Sequence, residues 1–133
     1  MTAYIVGHEF EPKVFIINRA ALVAYANASG DLNPIHQDEE FAKSVGLEDV
    51  IAHGMYTMAL AGRYVSEMAG SGAVKEFSAK FIKPVVVPVN TDVELSVSGK
   101  VTESDGGILK VEVTATCSGV KVLGMAKAVI SLS

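Results

Sequence analysis

Two patterns of hydrophobic and polar positions divide the chain near residue 73. Before it, apolar residues recur at helical spacing; after it, they alternate. Residues 18–29 predict a first helix, with Asn18 able to cap its start, Leu22, Val23, Tyr25 and Ala26 near one face, and Gly30 to stop it. The stretch 30–37 predicts a loop, because Asp and Asn bond their own backbone and Pro34 fixes φ; 38–45 then predicts a short helix stopped by Gly46. A second long helix is predicted from about His53 to Ala69. Its first half is apolar nearly all round, and Gly54, Met58, Ala61, Gly62 and Val65 are small or apolar where a neighbouring backbone must come close, so this helix should be enclosed.

Beyond residue 73, Val93, Leu95, Val97, Gly99 and Val101 alternate with Asp92, Glu94, Ser96, Ser98 and Lys100, the signature of a half-buried strand. After the turn signal Asp105-Gly106-Gly107, Leu109, Val111, Val113, Ala115 and Cys117 repeat it, and a last strand is predicted from about Val120 to Leu132. These consecutive strands joined by short turns predict an antiparallel meander, and with 76–83 as a further strand and 13–17 as a candidate first one the sheet has five or six strands. One apolar helix wrapped by such a sheet is an α+β solution, and 133 residues suit one domain, 1–133. The segment Pro84 to Pro88 reads as a bend at a strand end.

Composition narrows the function classes. Half of the residues are hydrophobic and a fifth are charged, which argues against disorder, and mean hydropathy of +0.36 points to a buried oligomer interface. A net charge of −4 provides no field to gather a nucleic acid backbone. With one cysteine, Cys117, the chain has neither an internal disulfide nor a multi-thiolate zinc site; Cys117 reads as a buried structural thiol. The amino terminus lacks the pattern of a signal peptide, and the longest uncharged apolar stretch, 50–62, is too short to cross a bilayer, so a cytoplasmic location without membrane insertion is expected. Gly70-Ser71-Gly72 fits no phosphate-binding fingerprint, and His8, His36 and His53 have no paired-ligand spacing, so neither a nucleotide cofactor nor a metal is expected.

The polar residues least explained by folding are Asp31, Asn33, His36 and His53. Asp31 and His36 stand five residues apart across a proline-stiffened turn, and a carboxylate and an imidazole facing one water suit acid–base chemistry. The alternative is plain turn chemistry, with Asp31 and Asn33 in Asx turns and His36 capping the next helix. His53-Gly54 has two readings as well: a helix start whose free N–H groups receive an oxyanion, or a buried histidine beside a packing glycine.

The run Tyr25-Ala26-Asn27-Ala28-Ser29-Gly30-Asp31-Leu32-Asn33-Pro34-Ile35-His36-Gln37-Asp38, followed by Ile51-Ala52-His53-Gly54-Met55, resembles the MaoC-like (R)-specific enoyl hydratases, with a flavour of the HadB-like (3R)-hydroxyacyl-ACP dehydratase subunits. The resemblance implies a hot-dog fold in which the sheet wraps one long central helix. It implies a hydro-lyase interconverting trans-2-enoyl and (3R)-3-hydroxyacyl thioesters of coenzyme A or acyl carrier protein in fatty acid metabolism, without a cofactor. Asp31 and His36 would form the catalytic pair, Asn33 would orient the site, and the Gly54 N–H would receive the thioester oxygen. Substrate contacts would fall to His53, Met55, Met58, Gly62, Lys80 and Lys83, with Lys75 beside the two lysines on a basic patch for an acidic carrier. One departure is Gly62, which stands where several family members carry a serine. Implied partners are a second copy or a related hot-dog subunit. A hot-dog thioesterase and a non-catalytic acyl-binding subunit are the rival readings.

Overall fold

The computed structural model describes residues 4–70 and 72–132, so the expectations for residues 1–3 and Ser71 lie outside the described residues. Six strands form one antiparallel sheet: β1 (Glu9–Ile17), β2 (Val74–Phe81), β3 (Val93–Asp105), β4 (Ile108–Cys117), β5 (Val120–Lys121) and β6 (Leu123–Ser131). Three α-helices, α1 (Arg19–Ser29), α2 (Glu39–Ser44) and α3 (Gly54–Ala69), precede β2. Spatial order is β1-β3-β4-β6-β2, with β5 paired to β4. Only the centre is therefore a meander. The expected meander is β3-β4-β6, and β1 and β2 flank it across long connections.

Alternation places the inward side chains. Leu95, Val97 and Val101 of β3, Leu109, Val111, Val113 and Ala115 of β4, and Ala126, Ala128 and Ile130 of β6 are buried together with Leu60, Ala61, Tyr64 and Val65 of α3. Such packing removes the apolar face of the helix and one face of the sheet from water at once. The Tyr64 hydroxyl reaches a polar partner by donating to the Glu11 carbonyl at 2.7 Å.

Four local expectations need correction. The last strand is broken: Val122 leaves the ladder, its N–H donating to Ala115 O (3.0 Å) while its carbonyl accepts from Ile82 N (3.1 Å). Met125, at φ 49°, lies where the register between β2 and β6 shifts. Lys83 falls beyond β2, which begins two residues earlier than expected. Val23 is exposed, so the buried stripe of α1 is Leu22 and Ala26, and Cys117 is only partly buried.

Segment 84–88 braces the site. Ala52 N donates to Val85 O (2.9 Å) and Val87 N to Val50 O (2.8 Å), with a bridge between Ile51 and Val86. Arg19 reinforces it, donating Nε to Val87 O (2.6 Å) and pairing with Asp49 at 2.9 Å. The bend is thus a short rung that fixes residues 50–52 just before α3 begins.

Candidate active site

The loop after α1 is built by side chains replacing backbone ladders. Asn18 caps the helix by accepting from Ala21 N (2.9 Å), and Gly30, at φ 80°, ends it with its N–H on Ala26 O. Asp31 Oδ1 then accepts from Asn33 N, and Asn33 Oδ1 from Ile35 N, both at 3.2 Å, leading into a 3-10 turn over Pro34–His36. The Asx turns considered from sequence are therefore present. His36 is not the cap of α2; Asp38 is, accepting from Phe41 N (3.1 Å).

His36 is buried and turned inward by Ile51, whose carbonyl lies 2.7 Å from Nδ1. A carbonyl only accepts, so Nδ1 carries the proton and Nε2 of the neutral ring holds a lone pair. His53, 1% exposed, stacks on it with centroids 3.8 Å apart and planes at 22°. Its Nε2 donates to the Asp31 carbonyl at 3.2 Å, while its Nδ1 is buried without a hydrogen-bond partner. The Tyr25 ring lies 4.7 Å from His53, tilted at 59°, and Tyr56 lies 5.0 Å from Tyr25.

Donor atoms of Asp31, His36 and His53 all lie within 4.8 Å of one another. His36 Nδ1 and His53 Nε2 face carbonyls and Asp31 Oδ1 accepts the Asn33 N–H, which leaves the other Asp31 carboxylate oxygen, His36 Nε2 and the buried His53 Nδ1 unpartnered among the described residues. A carboxylate oxygen and an unprotonated imidazole nitrogen are the pair needed to hold and deprotonate a water.

Beside His36 opens a cavity of about 320 Å³, walled by Ile51, Ala52, Gly54, Thr57 and residues 81–85, 122 and 123. Gly54 begins α3, where N–H groups of the first turn have no intrahelical acceptor. A Cβ at Gly54 would stand 3.1 Å from the Phe81 ring, so this glycine serves close packing in the cavity wall. Of the other expected contacts, Lys83 lines the cavity, whereas Met55, Met58, Gly62 and Lys80 do not, and His53 lies behind His36. A Cβ at Gly62 would meet the Phe77 ring at an ordinary 3.7 Å. Lys75 donates to Gly72 O, away from the cavity. Thr57 escaped the sequence reading. It is buried, donates to the His53 carbonyl (3.0 Å) and faces the cavity, and its only sequence signal is a hydroxyl in an apolar helix half.

Burial holds the His53 imidazole below its ordinary pKa, opposed in part by its hydrogen bond to the Asp31 backbone and reinforced by the neighbouring His36. The unfolded chain therefore takes up a proton that the folded state excludes. The contribution is fully present above about pH 6.5 and is lost as pH falls below it, at up to about 1.4 kcal/mol per pH unit. Urea unfolding at about pH 7.5 and about pH 5.5 should show this loss, and His53→Phe should reduce it.

A family model described as MaoC like domain matches residues 4–120. The chain belongs to the MaoC-like family. It is 38% identical over 94 residues to 3-hydroxyacyl-thioester dehydratase X of Mycobacterium tuberculosis, an alignment covering 71% of this chain and 31% of that protein. Among solved structures, a MaoC-like dehydratase superposes with TM-score 0.94 at 38% identity, over 98% of this chain and 41% of the other. The (R)-hydratase from A. caviae involved in PHA biosynthesis superposes with TM-score 0.84 at 25% identity over the full length of both chains. The chain thus spans less than half of the first two relatives and all of the third. The MaoC-like sheet and helix are those of the hot-dog fold. Among the described residues no helix is long and apolar enough to cross a membrane.

Proposed function

We propose that this MaoC-like chain catalyses reversible hydration of trans-2-enoyl thioesters to (3R)-3-hydroxyacyl thioesters. The observation that carries the reading is the Asp31 carboxylate within 4.8 Å of a His36 ring nitrogen, with His36 itself in the wall of a largely apolar cavity that also includes the Gly54 helix start. In hydration, Asp31 and His36 hold a water, its oxygen bonds to C3, and one of its protons passes to the pair. Electrons of the C2–C3 double bond shift toward the thioester carbonyl, whose growing charge is received at the Gly54 N–H. The pair then returns the proton to C2, and the thioester stays intact. Dehydration reverses each step. Asn33 orients the loop by capping the turn that ends in His36.

The carrier, coenzyme A or acyl carrier protein, approaches past Lys83 at the cavity mouth in this reading. The working unit is a homodimer or a pair with a related hot-dog subunit. Support comes from β2, an edge strand, and from Phe81 and Ile82, which wall the cavity and stand about half exposed (55% and 48%).

The test follows loss of the enoyl-thioester absorbance with crotonyl-CoA and a longer trans-2-enoyl-CoA, alongside thiol release. Loss without free thiol is expected. Thiol release would make the chain a thioesterase, and inertness with either substrate, alone or with a related subunit, would leave a binding role. Gly54→Ala should keep the fold but lower kcat about a hundredfold, since its methyl group forces the Phe81 ring toward the cavity beside the oxyanion donor.

A further inference from the structure

His53 is buried as deeply as the core, yet one of its nitrogens has no partner. A phenylalanine would fill a similar volume without that cost, and an orphaned buried polar atom typically costs about 1–3 kcal/mol. The other nitrogen does something a phenyl ring cannot, because it donates to the backbone carbonyl of Asp31, 22 residues away. At the same time the ring lies flat against His36, and its own backbone carbonyl accepts the Thr57 hydroxyl at the cavity wall.

We propose that His53 is a positioning residue that sets the separation of the Asp31 carboxylate and His36 Nε2, through its Nε2–H on the Asp31 carbonyl and its ring face on the His36 imidazole. The two histidines hold opposite tautomers: His36 carries its proton on Nδ1, facing Ile51 O, and His53 carries its proton on Nε2, facing Asp31 O. With its single proton on Nε2, His53 presents an uncharged ring to His36. When His36 accepts a proton during turnover, it meets the face of an uncharged ring. A second cation there would repel it. The groups facing His53 are Asp31 from the loop, His36 from the 3-10 turn and Tyr25 from α1, with Tyr56 of α3 beyond Tyr25. Its Nδ1 is the cost of that tautomer, since a proton there would have no acceptor.

The kinetic arm of the proposal rests on the hydratase reading; the tautomer arm does not. In the full chain labelled with 15N-histidine, long-range 1H–15N spectra at neutral pH should show His53 as the Nε2–H tautomer and His36 as the Nδ1–H tautomer. The same tautomer on both rings, or a doubly protonated His53, would overturn the assignment even if no substrate were turned over. For the kinetics, His53→Phe keeps a stacked ring and removes the donor, whereas His53→Gln returns an N–H near the position of Nε2. His53→Phe should unfold at no lower temperature than the parent yet lose kcat about 30- to 100-fold, the order expected when a reacting group is misplaced by about an ångström. KM should change less than about threefold, and His53→Gln should recover about a third or more of the lost logarithm of kcat. A purely structural histidine predicts the opposite: His53→Phe as active as the parent, or a loss that tracks unfolding. Either result would overturn the positioning role.

Discussion

Asp31→Asn should lower kcat/KM about a thousandfold with little change in stability, which corresponds to about 4 kcal/mol of lost transition-state stabilisation. Asparagine keeps an oxygen where Asp31 Oδ1 accepts the Asn33 N–H, so the turn that carries the loop survives. What disappears is the negative charge that accepts a proton from water and balances an imidazolium on His36. His36→Ala should be comparably inactive, because it removes the Nε2 lone pair fixed by the Ile51 carbonyl. The double variant should be scarcely slower than either single one, since the two groups act on the same proton and their losses do not add. Steady-state hydration kinetics together with thermal unfolding of all three variants check this. A wild-type-like rate in Asp31→Asn would remove the loop from the chemistry.

Leu95→Ala should produce the reverse profile, with large destabilisation and an unaltered rate per folded molecule. Leu95 has no exposed surface, sits inward on β3 opposite Phe15 of β1 and Cys117 of β4, and lies in the core shared with α3. Truncation removes buried methyl groups and leaves a cavity that neighbours on both sides, held in register by their ladders, fill only in part. Loss of about 3–4 kcal/mol is expected. For a domain of this size that lowers Tm by roughly 10–15 °C, taking about 2.1 cal/mol/K of unfolding entropy per residue. Denaturant titration provides the energy, and kinetics at low temperature provide the rate. Leu95 does not line the cavity beside His36, so a fall in kcat below the transition would mean that the sheet core sets the site geometry.

These two positions differ in how far they could be read before folding. The alternation that buries Leu95 is a property of neighbouring residues, because strand geometry turns every second side chain the same way. The ends of α1 are local too: Asn18 and Gly30 satisfy the terminal N–H and carbonyl groups within three or four residues. So are the Asx turns from Asp31 to Ile35, and so is the apolar texture of α3. The resemblance at residues 25–38 and 51–55 pointed to the family on the same short segments.

What only tertiary structure decided is everything set by partners far along the chain. Sheet order was not legible, since β1 and β2 pair with β3 and β6 across long connections that no local period encodes. The break at Val122 was missed because its cause is a carbonyl shared with Ile82 and Lys83, some 40 residues earlier. Thr57 reads as one more helical residue until residues 81–85 and 122–123 close a cavity over it. Asp31, Asn33, His36 and His53 could be named from the sequence. Which nitrogen of each ring carries the proton could not, because the carbonyls that decide it, Ile51 for His36 and Asp31 for His53, lie 15 and 22 residues away. Sequence by itself determined which residue types are available and how each segment folds locally. Packing alone brought a carboxylate, two stacked imidazoles and a helix terminus together, because hydrogen bonds and burial act between whatever surfaces the fold joins.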